Sequence, residues 1–181
     1  MGERTATRFG GAGCDATRAV SFDTFIFTFR AYIGRFLTKR QGQEVRTMAL
    51  GEPPFQLLYV SQLAPQYKVA DVRAIVSAAR RRNRERGIAG ALLYDGERFA
   101  HLIEGPPASV QVLMRRIESD PRHVDVRDCF AAPCPDGRVV GRWVSGYCDV
   151  TELDVFRGPT PLIGTRARNA FFDILGRSDV V

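Results

Sequence analysis

The sequence predicts an α+β fold, a mixed sheet with two helices on one face, and three observations carry that prediction. Strand and helix signals follow one another in the order β-α-β-β-α-β-β between Phe55 and Val150. The two middle strands are separated by little more than Asp95-Gly96, a hairpin dipeptide, whereas the strand-helix-strand passages on either side are long enough for parallel crossovers. A later segment, Arg168 to Leu175, carries Phe171, Phe172 and Leu175 along one side and can cover the sheet's second face. The layering expected is ferredoxin-like, with right-handed crossovers and a C-terminal capping helix opposite the other two.

Each element has a local reason. Phe55 to Ser61 is a short apolar run suited to a buried strand, and Ala64-Pro65 ends it. From Val69 to Arg86, the residues Val72, Ile75, Val76 and Ala79 recur at helical spacing with arginines around the other side, and Gly87 closes the helix as a left-handed residue. Ile88 to Tyr94 and Arg98 to Glu104 are strands about the Asp95-Gly96 turn. Pro106 to Glu118 reads as a helix, with Val110, Leu113, Met114 and Ile117 on one face and prolines where a missing N–H costs little. Val124 to Ala132 and Arg142 to Val150 supply two more strands around the turn-rich Pro133 to Gly137.

The segments outside this set differ in character. Residues 1–47 hold 8 Lys/Arg against 4 Asp/Glu and the remainder 18 against 16, so most of the net charge of +6 belongs to the leading segment. That segment, with its run Phe22, Phe25, Phe27 and Phe29, shows no clean period. It reads as a transit-like leader, a disordered arm, or sequence preceding a true start at Met48; the last is favoured because Met48 stands just before the first strand. Three units are expected: residues 1–47 as an extension, 48–150 as the folded domain, and 151–181 as a linker with the capping helix.

Composition removes several functions. A near-neutral main domain lacks the concentrated positive field of a nucleic-acid surface. Cys14, Cys129, Cys134 and Cys148 include no C-x-x-C pair and only two histidines accompany them, so neither a zinc cage nor a disulfide framework is expected, and a cytoplasmic setting is. Val20 to Leu37 is interrupted by Asp23, Arg30 and Arg35, which argues against a membrane span. No nucleophile-base pair with an orienting acid is identifiable, so no enzyme is expected.

Taken alone, the polar residues have plain readings: Tyr59 as a half-buried core tyrosine, Asn83 as a C-terminal hydrogen bonder of its helix, Arg122 as a surface arginine, and Ile75, Phe99 and Ile117 as core. Their pattern says more. Leu57-Leu58-Tyr59-Val60-Ser61, the string Arg82-Asn83 through Gly87-Ile88-Ala89-Gly90, the hairpin ending in Glu104-Gly105, Asp120-Pro121-Arg122-His123 and Trp143 together resemble a BLUF domain, the blue-light sensor that uses FAD. The resemblance spans about Phe55 to Val150. It implies a flavin between the two helices, with Tyr59 beside the ring as electron and proton donor, and Asn83 and Arg122, with Asp120 and His123, at its polar edge. Ile75, Phe99 and Ile117 would be apolar walls. Where the family has phenylalanine, any residue, glutamine, two apolar residues and Glu-Gly, this chain has Phe99-Ala100-His101-Leu102-Ile103-Glu104-Gly105. Trp143-Val144-Ser145 keeps the family's tryptophan and replaces a methionine by Ser145, on the strand that the resemblance implies transmits the signal.

The expected function is therefore an FAD-binding photoreceptor domain that signals through contact with a downstream protein or a second copy of itself, with a photocycle impaired by His101. The alternative is a degenerate module that binds flavin or protein without a light switch. A third reading, an RNA-binding domain, shares the strand order, and Gly96 to His101 faintly echoes its signature strand, but the several sheet aromatics that stack bases are missing.

Overall fold

The computed structural model describes residues 52–180; the extension and its Phe22 to Phe29 run lie outside the described residues. The elements are β1 (Phe55–Leu63), α1 (Val69–Glu85), β2 (Ala89–Tyr94), β3 (Arg98–Gly105), α2 (Pro107–Glu118), β4 (His123–Pro133), β5 (Val144–Tyr147), a 3-10 turn (Glu152–Phe156), α3 (Gly164–Leu175) and β6 (Asp179–Val180). The sheet order is β4-β1-β3-β2-β5-β6. Both β1 and β2 pair antiparallel with β3, so they run parallel to each other and α1 crosses over β3 between them. In the same way α2 carries the chain from β3 across β1 to β4. β5 then adds parallel to β2, which makes the sheet mixed as the sequence predicts.

Period-2 alternation divides the strands between two cores. Leu58, Val60, Ala91, Leu93, Ala100 and Leu102 face the 3-10 turn and α3, where Leu153, Phe156, Ala167, Phe171 and Ile174 complete one apolar layer. The opposite face presents Tyr59, Leu92, Tyr94, Phe99 and His101 toward α1 and α2. The capping helix is thus where it was expected, but its buried stripe is Ala167, Phe171 and Ile174. Phe172 and Leu175 sit at the margin, Phe172 with the Arg168 guanidinium 5.1 Å from its ring centre.

The local signals act as anticipated at two glycines. Gly87 has φ of +67°, and Ile88 donates its N–H to the Asn83 carbonyl at 2.8 Å, closing α1. At the hairpin Gly96 has φ of +105°, and the Asp95 carboxylate accepts the N–H groups of Glu97 (3.0 Å) and Arg98 (2.6 Å) in place of a second backbone bond. Other boundaries move. β5 covers only part of Arg142 to Val150, α3 begins four residues before Arg168, and the linker contains the 3-10 turn. The two-residue β6 on the β5 edge was not foreseen. No helix among the described residues is long and apolar enough to cross a membrane.

Candidate functional site

A row of opposed residues crosses the sheet on the α1/α2 side. Asp128 on β4 faces Tyr59 on β1, Tyr59 faces His101 on β3, His101 faces Leu92 on β2, and Leu92 faces Ser145 on β5. Antiparallel register places the Tyr59 and His101 side chains together, and the tyrosine hydroxyl lies 3.1 Å from His101 Nδ1. Both residues are buried, at 2% and 4% exposure. Burial pushes the Tyr59 phenol up, with Asp120 and Asp128 adding to it, so the hydroxyl keeps its proton. Burial, and then His123, pushes His101 down to about 3, so the imidazole is neutral. A neutral phenol and a neutral imidazole have two hydrogen-bonded arrangements: Tyr59 O–H donating to Nδ1 with the imidazole proton on Nε2, or Nδ1–H donating to the Tyr59 oxygen.

The ring of Trp143 stands edge-on to His101, centroids 4.7 Å apart. On the other side His123 packs 5.2 Å from Phe99 and shares a 2.8 Å hydrogen bond with Ser61 Oγ through Nδ1. Asp120 accepts from Arg122 Nε at 2.8 Å and from its backbone N–H at 3.0 Å. The Arg122 side chain holds that carboxyl below the usual range.

These groups line one cleft between α1 and α2. Its walls include Ile75, Val76 and Ala79 of α1, Leu113 and Ile117 of α2, and Phe99 and Leu92 of the sheet. Only Val72 and Asn83 of α1 are fully buried, and Ile75, Val76 and Ala79 of its apolar stripe are half-buried where they border the cleft. Three nitrogens on the lining, Asn83 Nδ2, Trp143 Nε1 and His101 Nε2, the last an N–H donor in the arrangement where Tyr59 donates to Nδ1, are buried and find no hydrogen-bond partner among the described residues. Buried donors are satisfied in native proteins, so this convergence indicates a ligand with an acceptor edge. Arg82, Arg86, Arg116 and Arg122 also line the cleft.

Every residue anticipated as binding a cofactor reaches this cleft: Tyr59, Ile75, Asn83, Phe99, His101, Ile117, Asp120, Arg122 and His123, with Trp143 beside them. Ser145 does not; it lines a neighbouring cleft between α1 and the β5–β6 edge. Arg116 and Asp128 were missed. Arg116 precedes Ile117 on α2, and the helical period that picks out Leu113 could have found it. Asp128 is exposed by no sequence signal, because β4 carries register shifts against β1 that turn it toward Tyr59. Its carboxyl is pushed up to about 7 by burial and by Glu118, and Oδ1 has no partner among the described residues.

The family model for sensors of blue light using FAD, BLUF, matches residues 55–144. The solved dark-state structure of BlrB, a BLUF protein, is 33% identical, covers 59% of this chain and 80% of its own, and superposes with a TM-score of 0.50. The chain belongs to the BLUF family. Two curated relatives of that kind are the Blue light- and temperature-regulated antirepressor BluF of Escherichia coli (strain K12), 37% identical over 79 residues, and Photoactivated adenylate cyclase subunit beta of Euglena gracilis, 37% identical over 87 residues. The matches take in 42% and 48% of this chain but only 20% and 10% of those proteins, respectively. BLUF domains are flavin-binding sensory modules, and the cleft fits such a group: a flat apolar face for the helix stripe, a polar edge for the orphan donors.

Proposed function

We propose that this BLUF chain is a blue-light sensor that holds FAD between α1 and α2 and signals by protein contact, with His101 in the position of the family's glutamine and a weakened light switch as the consequence. The observation that carries the reading is the convergence of the three unpartnered nitrogens, Asn83 Nδ2, His101 Nε2 and Trp143 Nε1, on one apolar cleft. FAD rather than FMN is favoured by the four arginines on the lining, which suit a diphosphate.

Bound there, the flavin supplies absorption of blue light and an electron acceptor once excited. Tyr59 supplies the phenol, His101 the adjoining base, and Asn83 and Arg122 fix orientation through N–H donors. Ile75, Phe99 and Ile117 exclude water. The phenol proton has a ready acceptor at His101 Nδ1. A glutamine amide can exchange donor and acceptor in nearly the same place, whereas the imidazole carries its two nitrogens on different edges of a rigid ring. Trp143 packs against that ring and opposes its rotation. This favours a second reading, a flavin-binding or protein-interaction module with no lasting light response. Residues 48–150 are proposed as the sensing domain and 151–181 as its cap, with a downstream protein or a second copy as the partner.

The test is a light-minus-dark absorption spectrum of the flavin-loaded chain. Flavin emission is quenched by Tyr59, the persistent red shift is weak or missing, and His101→Gln gains it. A full, reversible red shift in the unaltered chain that His101→Gln leaves unchanged would overturn the role given to His101.

A further inference from the structure

The arginine run of α1 divides by helical geometry into two sets. Arg82 and Arg86 line the cleft already described, while Arg80 and Arg84, four residues apart on one stripe, line a different one. The second cleft lies between α1, Gly87 to Ala89 and the segment from Arg138 to Val144. Arg138 and Arg142 complete a set of four guanidinium groups, and no carboxylate lines it. Arg138 is anchored by donating from Nη2 to the Gly87 carbonyl at 2.5 Å. Among the described residues no salt bridge engages Arg84, Arg138 or Arg142. Four like charges around one recess repel each other, and a multivalent anion would relieve that repulsion while accepting their forked N–H donors. Trp143 lines this cleft and the first one. An indole face beside guanidinium groups suits a planar base joined to phosphates.

We propose that the cleft formed by Arg80, Arg84, Arg138 and Arg142 around Trp143 is a binding site for a phosphate-bearing small molecule of nucleotide size, separate from the cleft that faces Tyr59 and His101. A recess between a helix and a loop favours a small ligand over a macromolecule, whose contact would spread over a flatter surface. Because Trp143 also touches His101, occupancy of one cleft would alter the other, and linkage makes that effect reciprocal.

Trp143 is the chain's only tryptophan and borders both clefts, so its emission responds to occupancy of either, and variants of Arg84 and Arg142, which line only the second, separate the two. The full chain, with and without added FAD, is titrated with inorganic triphosphate at ionic strength held constant with chloride. A saturable change in emission is expected, needing at least tenfold more triphosphate in Arg84→Glu and in Arg142→Glu, less of an increase in Arg84→Lys, and no more in Arg166→Glu, at an exposed position of α3. Arg84 and Arg142 are exposed, and circular dichroism checks that their variants remain folded. A linear response, or an unchanged response in both charge reversals, would overturn the proposal. So would a response to polyglutamate or to an RNA oligomer with none to triphosphate. The emission signal arises from Trp143 whether or not flavin binds, so the result stands apart from the flavin reading.

Discussion

His101 and Asp128 flank Tyr59 and respond to pH in opposite directions. His101 is held near 3 when folded against an ordinary 6.5, so the unfolded chain binds a proton that the fold refuses, and its contribution to stability is lost as pH falls below 6.5. Asp128 is held near 7 against an ordinary 3.8, so the fold keeps a proton that the unfolded chain has released, and its contribution is lost as pH rises from about 4 through 7. Between pH 4.5 and 6 these two dependences oppose each other, about one proton each. Asp128→Asn removes one side of the balance, and the stability of that variant, followed by urea denaturation of the flavin-free chain, is expected to rise with pH by about 1 kcal/mol per unit relative to the parent. An identical pH dependence in variant and parent would show that Asp128 titrates normally.

At the scale of the elements, the close approach of β2 to β3 is set by Gly90. A Cβ there would stand 2.5 Å from the Leu102 carbonyl oxygen and 3.3 Å from His101 Nε2. Gly90→Ala must push the two strands apart, and a loss of about 1 to 3 kcal/mol is expected, read from a shifted denaturation midpoint. Unaltered stability would mean that the strands yield freely. The same scale shows what the sequence could disclose. The α1 and α2 periods, the Gly87 closure and the Asp95-Gly96 turn are local signals, and local signals placed Tyr59, Asn83 and His101 on elements that meet in one cleft. The Asp95 side-chain bonds are also local, to Glu97 and Arg98, whereas the shortening of β5 follows from tertiary partners. Cys148, expected within the strand, lies one residue past β5 and still donates its N–H to the Tyr94 carbonyl of β2, the last bond of that ladder. β6 pairs only because α3 returns the chain to the β5 edge, which no window of sequence reveals. The roles of Asn83, Arg122 and His101 came from the family resemblance, since isolated polar residues on a helix end, a turn and a strand have ordinary readings.

Across the whole molecule, one buried carboxylate on the α3 side of the sheet ties separate segments of the chain together. Glu104, at the end of β3, accepts from the Val139 and Val140 N–H groups at 3.1 and 2.7 Å and from the Gln56 amide, while Gln56 Oε1 accepts from Arg168 of α3 at 2.6 Å. The segment that leads to Trp143 and the capping helix therefore share one network. Glu104→Ala leaves those donors without a partner, and a loss of about 2 to 3 kcal/mol is expected in chemical denaturation, whereas no loss would show that water replaces the carboxylate. The central claim, that the helix-walled cleft of this BLUF chain holds a flavin, is tested most directly by equilibrating the purified chain with FAD and measuring the absorption retained with protein after filtration. Near one flavin per chain, with Asn83→Ala binding more weakly by about 1 to 3 kcal/mol, is the result the structure predicts. A colourless retained protein with all the flavin in the filtrate would contradict it.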